Sequence, residues 1–167
     1  TAFSAEHGVL LCLQRIAGKS AATRTALDLF DEAQLGLESS SQGRTWFIRE
    51  ACLLHRPTGI GRSYESLRRA SAFTALLARN PVHEESRAQV AVLLRATLTA
   101  FAASDRPGIV YFKALYCFAR DEGYPVKEHW WQELPPADRA VAAGLLNRPL
   151  ATQTVAAADS TRLLHRL

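Results

Sequence analysis

The residues of this chain best suited to chemistry are its cations: 17 of its 20 basic residues are Arg, and the formal net charge is +4. A guanidinium is a planar fork of donors that matches phosphate and carboxylate, so the bias suits a nucleic-acid partner. A high-GC coding sequence enriches Arg in the same way, and composition does not separate the two. Arg15, Lys19 and Arg24 fall on the end of an apolar run and on the small, polar segment after it. Such exposed basic stems can track a phosphate backbone, and an ordinary solvated loop has the same composition. Arg62, Arg68, Arg69 and Arg79 surround the apolar face of a later segment, opposed only by Glu65. That positive face suits DNA, an acidic protein tail or water.

Signatures of the common enzymes do not occur. The chain contains no P-loop, no G-x-G-x-x-G, no H-E-x-x-H, no G-x-S-x-G and no C-x-x-C. Gly18-Lys19-Ser20 lacks the upstream Gly of a Walker motif. The five histidines are scattered, and the carboxylates of His83-Glu84-Glu85 are explained by the dipole of the helix they precede. Asp28, Asp31 and Glu32 are expected on the solvent side of a strand. Cys12, Cys52 and Cys117 are odd in number, far apart and set among apolar neighbours, which predicts buried free thiols and a reducing cytoplasm.

The elements that must position these groups change character along the chain. Val9–Ile16 is a β-compatible apolar run after the His7-Gly8 turn. Leu27–Glu38 alternates, Ser39–Gly43 has turn residues, and Thr45–Leu54 returns as a second strand, which predicts an antiparallel hairpin. After Arg56-Pro57-Thr58-Gly59 the period becomes helical. Tyr64, Leu67, Ala70, Phe73, Leu76 and Leu77 share one face, and Val90, Leu93, Leu94, Thr97, Leu98 and Phe101 form the next stripe. A third helix carries Ile109, Phe112, Leu115, Tyr116 and Ala119, with Gly123 at its C-terminal cap. Tyr124–Trp131 reads as an irregular aromatic connection. A shorter helix opens at Pro135-Pro136 and stops at Asn147, and Asp159-Ser160 starts a last one.

With 48% hydrophobic and 22% charged residues the chain is too apolar to be disordered. No apolar run approaches the roughly 20 residues of a membrane-spanning helix. The predicted fold class is α+β, in two units: residues 1–58 strand-rich and 59–167 helical. Thr1-Ala2-Phe3-Ser4 reads as a strand already under way, and no Met occurs, so residues upstream are expected.

The order of these elements and several local strings resemble the RecO family of bacterial recombination mediators. Glu6-His7-Gly8 with its apolar strand, Lys19-Ser20, and Leu27-Asp28-Leu29-Phe30 leading to Leu35-Gly36-Leu37-Glu38 are similar to the second half of that family's OB barrel. Arg49–Leu54, Tyr64-Glu65-Ser66-Leu67, Tyr111–Leu115 and Gly123-Tyr124-Pro125 resemble its passage into an all-α domain. The resemblance spans most of the chain, and its weight lies in order and spacing rather than in any one string. It implies an OB-type antiparallel barrel, with its first strand missing, over 1–58 and a helical domain over 59–167, the chain being cut short at its C-terminus as well.

The resemblance also implies a non-enzymatic protein of DNA repair and recombination, without cofactor, in the bacterial cytoplasm at the nucleoid. Such a protein binds single- and double-stranded DNA, engages the acidic tail of single-stranded-DNA-binding protein, works with RecR to load RecA, and anneals strands. By position, Arg15 and Lys19, with Arg24 beside them, match the basic strand end and loop expected to contact DNA. Arg62, Arg69, Lys113 and Arg120 flank apolar helical faces and are the candidates for the partner peptide. Many members carry a four-cysteine zinc module; no cysteine pair here has that spacing, so no zinc is expected. The competing expectation is an interaction adaptor of the same fold that does not bind DNA.

Overall fold

The computed structural model of the chain describes residues 1–14, 26–43 and 45–167. It is a mixed structure of two small sheets and, among the described residues, six α-helices. Strands β1 (Ala2–Ser4) and β2 (Gly8–Leu10) form an antiparallel pair, with Phe3 opposite Val9. The expected Val9–Ile16 strand is interrupted at Leu11, and its second part, β3 (Cys12–Gln14), joins another sheet.

That sheet has the order β3-β5-β4. Strands β4 (Glu32–Ser39) and β5 (Trp46–His55) are the predicted hairpin, closed through Ser40 and Thr45. β3 runs parallel to β5, with Cys12 opposite Trp46. Register shifts after Glu32 and after Gly36 place an extra β5 residue at each point, Leu54 and Arg49, and such bulges sharpen the right-handed twist. Leu35, Leu37, Ile48 and Ala51 share one half-buried face. β3 and β4 are the edges, so the sheets do not close into a barrel among the described residues.

β4 starts five residues later than the alternation predicts, because two aspartates bend the chain. The Asp28 amide donates to Asp31 Oδ2 at 2.8 Å, and Phe30 takes a φ of +69°. This turn swings Phe30 against Ile60, Ala70, Phe101 and Val110. Asp31 is therefore not on a solvated face: its side chain is 2% exposed and paired with Arg56. Arg56 donates from Nε to Asp31 Oδ1 at 2.8 Å, from Nη2 to Asp31 Oδ2 at 2.6 Å, and from Nη2 to the Ala26 carbonyl at 2.9 Å.

The hydrogen bond from Arg56 holds the Asp31 carboxyl below its ordinary value, although burial pushes the other way. A carboxyl depressed in the folded state takes up its proton more readily when unfolded. Its stabilisation is present above the unfolded value of about 3.9 and is lost as pH falls through the lower folded value. Thermal midpoints of wild type and Asp31→Asn should thus differ near neutrality and converge in acid. Parallel curves down to about pH 3 would remove this role from Asp31.

The helical part is built around α3 (Pro107–Asp121), started by Pro107 at its first turn. Six of its residues are buried, from Ile109 to Phe118, so neighbours cover it on more than one side. Ile109, Phe112 and Tyr116 pack with Trp130, Leu145 and Leu163. Ala114 and Phe118 pack with Phe73 and Leu77 of α1 (Tyr64–Arg79) and Val90 of α2 (Arg87–Ala103). The N-terminal cap of α1 is Ser63, whose side chain accepts from the Ser66 amide at 3.4 Å. Tyr64 and Leu67, expected on its apolar face, are 77% and 38% exposed; Ala70, Phe73 and Leu77 fill the core. Gly123 ends α3 at φ +81°, the left-handed conformation expected of a glycine cap.

Residues 126–130 form a π-helical turn rather than an irregular connection, and it continues as α4 (Trp131–Glu133). α5 (Pro136–Asn147) and α6 (Ala157–Leu164) follow, close to the expected places. Strands and helices are tied together by the Arg95–Glu32 ion pair, by Arg87 donating to the Glu6 carbonyl at 3.0 Å, and by Phe3 against the α1–α3 core. No described helix is long and apolar enough to cross a membrane.

Candidate functional site

Residues spaced i, i+3, i+4, i+7 share one helix face, and on α3 this relation joins Lys113, Tyr116, Cys117 and Arg120. The inner side of α3 is apolar, so this stripe lies at the border between core and solvent. Opposite it stand Lys127 from the π-turn, Trp131 and Gln132 from α4, and Ala143, Leu146 and Asn147 from α5. Together they line an open groove of about 490 Å³. Three of the lining groups are cations and none is a carboxylate.

Each cation is held differently. Lys113 Nζ donates to the Arg148 carbonyl at the end of α5, 2.7 Å away, an arrangement that also satisfies the negative end of the helix. Partial burial pushes its ammonium below the ordinary lysine value, a sign that the charge there is undersolvated. Arg120 Nε donates to Asp121 Oδ1 at 2.6 Å, and that carboxylate raises its affinity for its proton. Lys127 is exposed. The aromatic residues of the lining are Tyr116 and Trp131, and both flank the buried Trp130 ring, whose centre is 5.9 Å from Tyr116 and 6.1 Å from Trp131.

Cys117 at the groove floor is partly buried, and burial pushes its thiol up, so it stays protonated and is a poor nucleophile or metal ligand. The three cysteines are free, but Cys52 is exposed and Cys12 and Cys117 are only partly covered, short of the burial expected. No group of three or more His, Cys, Asp or Glu side chains gathers as a metal site among the described residues. The groove offers positive charge beside apolar surface, which is the chemistry of binding an anion that carries a hydrophobic end.

Of the four peptide candidates, the fold brings Lys113 and Arg120 together. Arg69 lies elsewhere, with a side chain 13% exposed, an ion pair to Glu65 at 3.2 Å and its guanidinium 5.5 Å from the Tyr111 ring centre. Arg62 is exposed at the end of the Thr58–Arg62 turn. Lys127 and Trp131 were missed because Tyr124–Trp131 reads as irregular. Their i, i+4 spacing was the available signal. Arg15, Lys19 and Arg24, the DNA-contact candidates, lie outside the described residues. The nearest described anchors are Gln14 at the end of β3 and Ala26, whose carbonyl Arg56 holds.

Comparison of the chain with protein-family models, with curated proteins and with solved structures finds no match in any of the three.

Proposed function

We propose that this protein is a DNA-binding recombination mediator of the RecO kind, whose helical groove takes the acidic, apolar-ended tail of single-stranded-DNA-binding protein. The observation that carries the proposal is the groove itself: Lys113, Arg120 and Lys127 over Tyr116, Trp131 and Leu146, with no carboxylate in the lining. An acidic tail supplies the opposite charge, and an apolar terminus fits against the aromatic wall. The strand-rich portion supports the same reading. A parallel β3–β5 pair, with β4 antiparallel on the other side of β5 and a hairpin before them, is compatible with part of a five-stranded OB barrel. In this reading Arg15, Lys19 and Arg24 hold DNA phosphates, RecR is the working partner, and RecA loading and strand annealing follow from bringing two polymers together.

The test is a pair of titrations on the full chain, one with labelled single-stranded DNA and one with a short acidic peptide ending in an aromatic residue and a free carboxylate. DNA affinity should fall with salt and fall again when Arg15 and Lys19 become Ala, each lost phosphate contact flattening the logarithmic salt slope by about 0.7. Peptide affinity should fall about threefold to fivefold in Arg120→Ala, as for loss of one exposed ion pair. Peptide binding without DNA binding would replace the mediator with the adaptor of the same fold. Peptide binding that is insensitive to the groove would end the assignment of this site.

A further inference from the structure

Tyr64, the first residue of α1, is 77% exposed, more than any other large apolar side chain among the described residues. Residues three and four apart share a helix face, so the exposed Leu67 and Arg68 stand beside it. Arg62, at the end of the turn that leads into α1, is exposed and makes no ion pair among the described residues. The Arg69 guanidinium lies 5.5 Å from the Tyr111 ring centre, and Tyr64 and Tyr111 are both within electrostatic reach of Arg68. In contrast to the first groove, this surface holds a carboxylate, Glu65, among its cations. We propose that the start of α1 is a platform for single-stranded nucleic acid, with a base stacked on Tyr64 and phosphates set against Arg62 and Arg68. The proposal rests on the reading of the chain as a DNA-binding protein and adds to it a contact surface on the helical part.

Three features select this ligand. Arg62, Arg68 and Arg69 stand against the single carboxylate of Glu65, so the surface attracts an anion. Arg68 spends Nε and Nη2 on Glu65, at 3.3 and 2.8 Å, and keeps the donors of Nη1 while its position is fixed. The Tyr64 ring is left in water at a helix start while Ala70, Phe73 and Leu77 fill the core, so its open face gains from a planar partner. Guanidinium and ring thus alternate, and a nucleic-acid strand presents phosphate and base in the same alternation.

The same features disfavour other anions at this place. Bases of a duplex are already stacked on one another, and an open ring gains nothing from faces that are covered. An acidic peptide would bring a run of carboxylates beside Glu65, whereas the first groove receives it with no carboxylate in the lining.

The experiment is a fluorescence-anisotropy titration of the full chain with labelled oligothymidylate, with an abasic oligomer of equal length, with duplex DNA and with an acidic peptide. Tyr64→Ala, at an exposed position, should bind oligothymidylate about tenfold more weakly with an unchanged salt slope, and Tyr64→Trp should restore the affinity. Wild type and Tyr64→Ala should bind the abasic oligomer and the duplex within about twofold of each other. Arg62→Ala should instead flatten the logarithmic salt slope for oligothymidylate by about 0.7. Equal affinities of wild type and Tyr64→Ala for oligothymidylate, or an equal loss on the abasic oligomer, would overturn the platform and leave DNA binding elsewhere on the chain standing. A wild type that binds none of the DNA probes would overturn both the platform and the reading on which it rests. A loss of peptide affinity in Tyr64→Ala as large as its loss for oligothymidylate would overturn the assignment to nucleic acid.

Discussion

Gly59→Ala should lower the thermal midpoint by roughly 6 to 12 °C, corresponding to about 3 kcal/mol in a chain of this size. The turn Thr58–Arg62 is pressed against the last turn of α2, and a Cβ on Gly59 would fall on the Ala102 carbonyl oxygen, 2.8 Å from the Ala102 carbonyl carbon. The obstacle is backbone, so no rotamer change clears it. Either α2 or the turn must move, and both neighbours of the contact are core: Ile60 is 2% exposed and Phe101 1%. Gly61 is the matched control, because a Cβ there meets nothing within 4 Å. Gly61→Ala should stay within about 1 kcal/mol of wild type, on either side, since only the freedom of the unfolded chain changes. Calorimetry on the two variants checks both statements, and a Gly59→Ala midpoint equal to that of Gly61→Ala would refute the close approach.

The largest functional effect is expected from reversing two charges of the first groove. Arg120→Glu with Lys127→Glu changes its three lining cations into one cation and two carboxylates, while Lys113 keeps its bond to the end of α5. Each reversal removes an attraction and adds a repulsion of similar size, so the double variant should bind an acidic peptide about a hundredfold more weakly, near 3 kcal/mol. The difference should shrink with added salt, because both positions are solvent-accessible and screened. Arg62→Glu makes the comparison specific. It reverses a charge outside the groove and should leave the affinity within about twofold of wild type. Fluorescence anisotropy at two salt concentrations separates these outcomes, and equal losses in Arg62→Glu and the groove variant would reduce the site to bulk electrostatics.

The helices were legible because their signals are local. The 3.6-residue apolar periods, Pro135-Pro136 at a helix start and Gly123 at a helix end are each set within a few residues. The β4–β5 hairpin was legible for the same reason. What failed was decided by contacts distant in sequence. Leu27–Asp31 has the alternation of a strand, yet Arg56 gives Asp31 a partner that makes a turn preferable. Tyr64 and Leu67 keep helical spacing, but the neighbours of α1 cover Ala70, Phe73 and Leu77 instead. The groove was half legible. Lys113 and Arg120 border an apolar stripe readable from α3 alone, whereas Leu146 and Asn147 arrive through the packing of α5, which spacing does not encode.

The parallel pairing of β3 with β5 has a mechanical consequence. Parallel neighbours cannot be joined by a tight turn, so the chain between Gln14 and Trp46 must cross over, and closing that long loop costs more entropy than closing the β4–β5 hairpin. β3 repays this with only three paired residues. The β3–β5 seam is therefore the place where the sheet opens first under load.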